Sequence, residues 1–133
     1  QNSHFKKLLD EINNADVARL GYVSDEDLNK LFNLATIYVQ PSYYEGFGMP
    51  VVEAMSVGCP VICSKTQALV EVAEDACLYF DPNDPKELAQ KIKMFLDSEK
   101  LRKEYIKKGF ERVKNFSWKK AAQETLEVYA KSI

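Results

Sequence analysis

The sequence has 133 residues, a length that suits one domain with a buried core and excludes a second full domain. Apolar residues make up 46% and charged residues 29%, with five glycines and five prolines, which excludes disordered, collagen-like and linker-like chains. Eighteen basic and twenty acidic residues give a formal net charge of −2, and without a basic excess we expect no nucleic-acid partner.

The first third of the chain predicts helix, strand, helix and strand in that order. Apolar residues three and four positions apart predict a first helix over Phe5, Leu8, Leu9 and Ile12. A short strand is expected near Val17, and it runs into Gly21. Ser24 and the acidic residues after it are typical of a helix N-terminus. A second strand over residues 37–40 is stopped by Pro41.

The middle of the chain predicts two helices and two buried strands. Pro50 suits the first turn of a short helix that Gly58 ends. Residues 61–63 and 77–80 are apolar runs without polar alternation, which is typical of strands covered on both faces of a parallel sheet. Residues 67–73, between these strands, predict about two helical turns.

The last third predicts three helices. The sequence Asp-Pro-Lys-Glu from Asp84 is a strong helix start, a helix over residues 98–113 follows, and another opens at Ser117. Trp118 is expected to anchor this last helix in the core rather than to contact a ligand. Strand and helix alternate four times, so the sequence predicts an α/β fold with a doubly wound, Rossmann-like parallel sheet and C-terminal helices.

Cysteine usage bears on the cellular compartment. The three cysteines, Cys59, Cys63 and Cys77, form no CxxC pair, and the single histidine, His4, leaves no zinc-binding set. We expect all three thiols to be reduced and buried. The sequence also has no apolar stretch long enough for a membrane span or a signal peptide, so we expect a cytoplasmic protein.

In open parallel sheets, ligands bind at the C-terminal ends of strands, where four loops of this chain lie: 21–23, 41–49, 64–67 and 81–84. The second loop has the most informative residues. Gly46 and Gly48 permit a tight turn with exposed backbone N–H groups, and the helix at Pro50 adds the positive end of its dipole. The pattern predicts a phosphate site, although a Gly-x-Gly turn before a helix is also common without a ligand.

Two carboxylates flank this predicted phosphate site. Glu45 precedes it and has acceptors for sugar hydroxyls, and Glu53 could accept two hydrogen bonds from vicinal hydroxyls such as those of a ribose. An acidic residue early in a helix also complements the helix dipole without any ligand. The residues alone therefore leave a nucleotide-sugar site and an ordinary helix start both open.

A family resemblance favours the first interpretation. The segment PSYYEGFGMPVVEAMSVGCPVICS, in which seven residues separate Glu45 from Glu53, resembles the hallmark of the retaining glycosyltransferases of family 4, also called group 1, which have the GT-B fold. Further similarity covers LGYVSDEDLNKLFNLATIYVQPS before it, VEVAEDACLYFDPNDPKELA after it, and the triplet Phe116-Ser117-Trp118.

The resemblance implies that residues 1–133 are a single partial domain, the nucleotide-sugar-binding C-terminal half of such an enzyme without its first two strands. The complete enzyme would transfer a hexosyl group with retention to a glycan, lipid-linked or small-molecule acceptor held by an N-terminal domain. No cofactor or metal is implied, since the nucleotide-diphosphate sugar is the substrate. Many relatives act at the cytoplasmic face of a membrane, and such an association would involve the missing part.

The resemblance also implies a role for each residue of the motif. Glu45 is the catalytic residue and holds the sugar hydroxyls, the backbone of residues 46–49 lies along the sugar and diphosphate, and Glu53 binds the ribose. Val51 and Val52 offer N–H groups to the distal phosphate. The expected donor-binding set is Gly21, Tyr22, Val23, Ser42, Glu45, Gly46, Phe47, Gly48, Met49, Val51, Val52 and Glu53, of which the first three line the nucleobase pocket.

The chain departs from the family pattern in its charges. The Gly-Arg segment and the lysine that neutralise the leaving diphosphate are absent, and Lys65 and Lys86 do not occupy their positions. Val70 stands where many relatives have proline, and Tyr43 and Tyr44 suit sugar stacking and packing equally. Two other functions therefore stay open: a non-catalytic module that binds a nucleotide or nucleotide sugar, and a structural α/β fragment.

Overall fold

The computed structural model describes residues 6–7 and 16–132. Its sheet has three parallel strands, β1 (Tyr38–Gln40), β2 (Val61–Ser64) and β3 (Leu78–Phe80), in the order β1-β2-β3. Val39 lies opposite Ile62, which lies opposite Leu78. The parallel pairing of these three predicted strands is confirmed.

Six helices surround the sheet in the described part of the chain: α1 (Asp25–Leu34), α2 (Met49–Ser56), α3 (Gln67–Ala73), α4 (Pro85–Asp97), α5 (Glu99–Val113) and α6 (Trp118–Ser132). Two predicted helix starts are confirmed by their caps. The Ser24 side chain accepts a hydrogen bond from the Asp27 N–H at 3.2 Å, and Asp84 caps α4 in the same way. Of the helix predicted over residues 5–12, Lys6 and Lys7 are described and are helical, and the four apolar residues that predicted it lie outside the described residues.

Both faces of β2 are covered, as the doubly wound arrangement requires. Val61 and Cys63 face a core cluster that includes α2 and α3 residues, whereas Ile62 faces a second cluster with Phe80 and Phe95. The exposed fraction of these three β2 side chains is at most 1%. Burying a side chain such as Ile62 contributes roughly 1.5–3 kcal/mol to the free energy of unfolding, so this strand is the centre of the fold.

Two expectations about the ends of the chain are wrong. Residues 17–20 form no strand, and the exposed fractions of Val17 and Leu20 are 55% and 60%. A strand needs a partner strand, and the three described strands pair only with one another. Trp118 does not anchor a core, because 86% of its surface is exposed and α6 contains no buried residue.

The expectation about the cysteines is confirmed, since Cys59, Cys63 and Cys77 are all buried and free. Burial raises the pKa of the Cys59 thiol to about 11. A hydrogen bond with Cys77 and burial both raise the pKa of Cys63. Within residues 6–7 and 16–132, no helix combines the length and the apolar character needed to cross a membrane.

Candidate functional site

The candidate site is the loop that joins β1 to α2 at the C-terminal edge of the sheet. Gly48 is the N-cap of α2 and has a φ of 93°, in the left-handed region. A Cβ atom at this position would lie 2.6 Å from Cδ2 of Leu69, a side chain with no exposed surface. Both the backbone conformation and the close approach of α3 therefore require glycine here.

None of the backbone N–H groups of residues 42–49 has an acceptor within the described part of the chain, and the last four of these groups lead into α2. They belong to Gly46, Phe47, Gly48 and Met49. Folded proteins pair nearly all such groups with protein or water, so a row of unpaired donors is suited to an anion or a polar ligand. The Val51 N–H is not free, because it donates to the Gly48 carbonyl at 3.0 Å. The Val52 N–H has no acceptor in the described chain, so the available donors belong to residues 46–49 and 52 and exclude the predicted contact from Val51.

The positive end of α2 is also left without acidic compensation. The first turn of α2 contains no acidic residue, whereas the first turns of α1 and α4 both do. An N-terminal helix end without a nearby carboxylate favours binding of an anion. Glu53 lies one turn further along α2, where its side chain is exposed.

Glu45 is half-buried and is held by side chains from the end of β1. Its Oε1 accepts hydrogen bonds from Gln40 Nε2 at 2.7 Å and from the Ser42 hydroxyl at 2.6 Å. The Tyr38 hydroxyl in turn donates to Gln40 Oε1. Burial, with smaller contributions from Cys63, Glu45 and Glu53, raises the pKa of Tyr38 to about 12, so this hydroxyl stays protonated at neutral pH.

A pocket of about 290 Å³ opens beside Glu45 and is bounded by the loops after β1 and β2. Its carboxylate, amide and aromatic groups match the acceptors and flat faces that a polyhydroxylated ligand uses. Tyr43 and Tyr44 are 73% and 87% exposed, so their stacking on a sugar stays a prediction. The pocket is lined by Tyr43, Tyr44, Glu45, Thr66, Gln67, Ala68 and Glu71.

The other side of the loop borders a groove of about 600 Å³, which Phe47, Met49 and Val52 share with the end of α5 and the start of α6. The Phe47 ring packs edge-on against the Phe116 ring, with 5.6 Å between their centroids. The Arg112 guanidinium carbon lies 4.8 Å from the centroid of Phe116. The end of α5 therefore supports the glycine loop from behind.

Arg112 also fixes α3 against α5. Its Nε donates to the Val72 carbonyl at 2.7 Å, and its Nη2 donates to the Glu71 carbonyl at 3.0 Å and lies 3.3 Å from a Glu74 carboxylate oxygen. These bonds satisfy carbonyls in the last turn of α3. Sequence reasoning missed Arg112, because nothing in the local pattern of α5 indicates that one of its basic residues reaches another helix.

Of the twelve predicted donor-binding positions, the structure brings nine together. Ser42, Glu45, residues 46–49 and the start of α2 lie in one continuous loop and helix end. Gly21, Tyr22 and Val23 precede α1, and within the described residues no hydrogen bond or ring contact joins them to this loop. Tyr22 is 95% exposed, so the predicted nucleobase contact stays a prediction. Sequence reasoning also missed Gln40, whose position before Pro41 only marked the end of a strand.

The described residues contain no group of three or more His, Cys, Asp or Glu side chains that could hold a metal ion. Lys65 and Lys86 are exposed, and neither lies in the β1–α2 loop: Lys65 lies between β2 and α3, and Lys86 lies in the first turn of α4. The backbone donors of residues 46–49 and the α2 N-terminus are features of the loop itself that can attract a phosphate.

Comparison with known proteins identifies the family of this chain. Residues 1–112 match the family described as glycosyl transferases group 1. The O-antigen chain mannosyltransferase B of Escherichia coli is 44% identical over 110 residues, which are 83% of this chain and 29% of that protein. The MMP alpha-(1->4)-mannosyltransferase of Mycolicibacterium hassiacum is 35% identical over 137 aligned positions, covering 99% of this chain and 33% of that protein. The chain thus spans about a third of the length of these curated relatives.

Solved structures agree with this assignment. A sucrose-phosphate synthase from Thermosynechococcus elongatus superposes with a TM-score of 0.85 and 32% identity, over 96% of this chain and 33% of that one. The C-terminal domain of a group 1 family glycosyl transferase from Francisella tularensis superposes with a TM-score of 0.72 and 27% identity, over 86% of this chain and 63% of that one. The chain therefore belongs to the group 1 glycosyl transferases, and its α/β fold is that of the C-terminal domain in their GT-B architecture.

Proposed function

We propose that this chain is the donor-binding part of a retaining hexosyltransferase. In this proposal it holds a nucleotide-diphosphate sugar, and a separate N-terminal domain supplies a glycan, lipid-linked or small-molecule acceptor. The two curated relatives named above are mannosyltransferases, so a mannosyl donor is the first to test. The free, buried cysteines suit a reducing compartment, which favours the cytoplasm or the cytoplasmic face of a membrane.

The observation that carries the proposal is the row of N–H groups at residues 46–49 without an acceptor in the described chain. A diphosphate presents many acceptor oxygens and negative charge, and it would satisfy these donors beside the positive end of α2. The backbone dipoles then offset part of the phosphate charge, and we propose that no metal ion or cofactor takes part. Glu53, exposed on the same helix, is placed to accept hydrogen bonds from a ribose.

Glu45 is assigned to the sugar because it lines the neighbouring pocket with Gln67 and Glu71. A carboxylate at this position accepts hydrogen bonds from sugar hydroxyls and stabilises positive charge that develops on the ring as the bond to the leaving diphosphate breaks. The ribose and the diphosphate carry no such new positive charge. Glu45 therefore acts on the chemical step, whereas Glu53 acts on binding.

Catalysis needs more than this chain supplies. The departing diphosphate requires fixed positive charge, and the arginine and lysine of the family pattern are absent from the sequence. The acceptor must also be held beside the donor, which a separate domain would do. We expect the isolated chain to transfer no sugar and to bind a nucleoside diphosphate weakly, near the millimolar level that corresponds to about 4 kcal/mol.

Amide chemical shifts of the isolated chain test the proposal. Titration with GDP and with UDP is expected to shift the amide signals of residues 46–49 and 52, with saturation at millimolar concentration. The matched control is guanosine or uridine, which lacks the phosphates and should leave residues 46–49 unmoved. Shifts confined to other loops, or none with either diphosphate, would contradict the proposed phosphate site.

A transfer assay with radiolabelled GDP-mannose separates the binding and catalytic parts of the proposal. The isolated chain should give no transfer to any acceptor, and the complete polypeptide should give transfer. Measurable turnover by these 133 residues alone would show that the catalytic charges are misplaced here. Binding by a complete polypeptide that never transfers sugar would instead indicate a non-catalytic nucleotide-sugar module.

A further inference from the structure

The hydrogen bonds around Glu45 have one fixed direction. An ionised carboxylate only accepts hydrogen bonds, so the amide group of Gln40 must turn its Nε2 toward Glu45 Oε1, 2.7 Å away. The amide oxygen of Gln40 then faces the Tyr38 hydroxyl, which must donate to it. The Ser42 hydroxyl accepts from Gln40 Nε2 at 2.7 Å and donates to Glu45 Oε1. Each donor in this network is therefore assigned without an alternative.

The network is anchored in the sheet rather than in the loop. Gln40 is the last residue of β1 and pairs in register with Cys63 of β2. The Ser64 hydroxyl, which has no exposed surface, lies 3.2 Å from the Gln40 carbonyl oxygen and also contacts the Ser42 carbonyl oxygen. A side chain on a strand is held more precisely than one on a loop, so the sheet sets the position of the Glu45 carboxylate.

Both protein donors contact the same oxygen of Glu45. Gln40 Nε2 and the Ser42 hydroxyl bind Oε1, and no donor in the described chain contacts Oε2. One oxygen is thus fixed by the protein while the other is left for a ligand hydroxyl. The arrangement also keeps the carboxylate oriented before any sugar arrives, which reduces the reorganisation needed in the transition state.

We propose that Gln40 is a positioning residue, which orients the Glu45 carboxylate toward the donor sugar through a hydrogen-bonded row that starts at Tyr38. The proposal rests on the proposed function, because it gives Gln40 a role in sugar transfer only if Glu45 has one. Tyr38 keeps its proton at neutral pH and therefore remains a donor to Gln40. Its ring packs edge-on against Phe32, with 5.0 Å between the centroids, which holds the hydroxyl in place.

The test uses the complete polypeptide that contains this chain, with GDP-mannose and an acceptor, and five variants, the fifth of which is Tyr38→Phe. Gln40→Met keeps the length of the side chain but removes both polar ends, and Glu45→Gln removes the charge. The double variant carries both changes. Gln90→Met, on the exposed face of α4, is the matched control for the amide-to-thioether change.

We expect Gln40→Met to lower kcat about tenfold or more, with the KM for the donor changed less than about threefold, because a hydrogen bond to a charged group is lost. In the Glu45→Gln background the same change should lower kcat no further, since Gln40 acts only through Glu45. Gln90→Met should leave both constants unchanged. Tyr38→Phe is a milder variant that keeps the ring packing but removes the hydroxyl that donates to Gln40. It should also lower kcat.

The outcomes separate the two proposals. If Glu45→Gln leaves kcat unchanged, the catalytic assignment of Glu45 is wrong and the role of Gln40 falls with it. If Glu45→Gln lowers kcat but Gln40→Met and Tyr38→Phe do not, only the positioning role is overturned. A loss on Gln40→Met that multiplies fully with the loss on Glu45→Gln would also overturn it, because a merely structural role predicts independent effects.

Discussion

Two strand-to-helix connections of this domain differ in whether their backbone N–H groups are paired within the chain. The connection from β3 to α4 leaves no N–H of residues 81–84 unpaired: Asp81 donates to Glu87, Asn83 to the Asp81 side chain, and Asp84 to the Asp81 carbonyl. The connection from β1 to α2 pairs none of the N–H groups of residues 42–49 with an acceptor in the described chain. Both helices have a proline within their first two positions.

The difference lies in the residue at the N-cap. Asp84 places its Oδ1 at 3.0 Å from the Lys86 nitrogen and 3.1 Å from the Glu87 nitrogen, so α4 satisfies its own first turn. Gly48 has no side chain with which to cap α2. A helix start without a side-chain cap leaves its backbone N–H donors available to another molecule. The comparison therefore distinguishes a helix start whose donors are satisfied within the fold from one whose donors are available to the ligand proposed above.

The largest expected effect comes from a Glu→Gln substitution beside the start of α2, compared with the same substitution in the first turn of α4. In the complete polypeptide, Glu45→Gln should lower kcat about 100-fold or more, roughly 3 kcal/mol, because in the proposed complex Glu45 faces the positive charge that develops on the sugar. Glu87→Gln, whose side chain accepts from the Asp81 N–H at 2.7 Å, should leave kcat unchanged. Steady-state kinetics of both variants check the prediction, and equal losses would remove the distinction between the two connections.

The two glycines of the β1–α2 loop sharpen the comparison on the side of stability. Gly48→Ala forces a left-handed alanine against Leu69, and it should lower the free energy of unfolding by about 2–4 kcal/mol. Gly46→Ala should change it by less than about 0.5 kcal/mol, because a Cβ there meets nothing within 4 Å. Urea denaturation of the isolated chain measures both. A Gly48→Ala variant as stable as the original would contradict the described loop.

Glu53 is expected to differ in kind from Glu45, although both lie in the same motif. Its carboxylate faces the unreacting ribose in the proposed complex, so Glu53→Gln should raise the KM for the donor about tenfold, near 1.4 kcal/mol, and change kcat little. Glu74 is unsuitable as a control because it pairs with Arg112. The control is Glu127→Gln, at an exposed position on α6. A loss in kcat with an unchanged KM would reverse the assigned roles.

Much of the fold was predictable because its signals are local. The caps at Ser24 and Asp84 depend on residues within one helical turn, and the apolar run of β2 is long enough to indicate burial on both faces. The predictions of a strand near Val17 and of a buried Trp118 were wrong because burial depends on contacts that are not local. An apolar pattern shows which residues favour burial, but a neighbouring element must be present to bury them.

The residues of the candidate site also divide into those that a local motif identifies and those whose roles depend on the fold. The glycines and the two glutamates follow one another in the sequence, so their loop could be identified from the motif. Gln40 and Arg112 could not, because their roles depend on which atoms the fold brings near them. Gln40 contacts a residue across a loop, and Arg112 contacts carbonyls about 40 positions away in the chain. Hydrogen bonds of this kind leave no periodic signal.

The smallest effect is expected in the connection from β3 to α4, where Asp84 caps the helix. Asp84→Ala removes two hydrogen bonds from the first turn of α4, and it should lower the free energy of unfolding by about 1 kcal/mol. It should leave the affinity of the isolated chain for GDP or UDP unchanged, because the donors that it frees belong to a different loop. Urea denaturation and the amide titration measure the two quantities on one sample. A weakened affinity without loss of stability would mean that residues 81–84 also contact the nucleotide, so that a fully paired helix start does not by itself indicate a structural role.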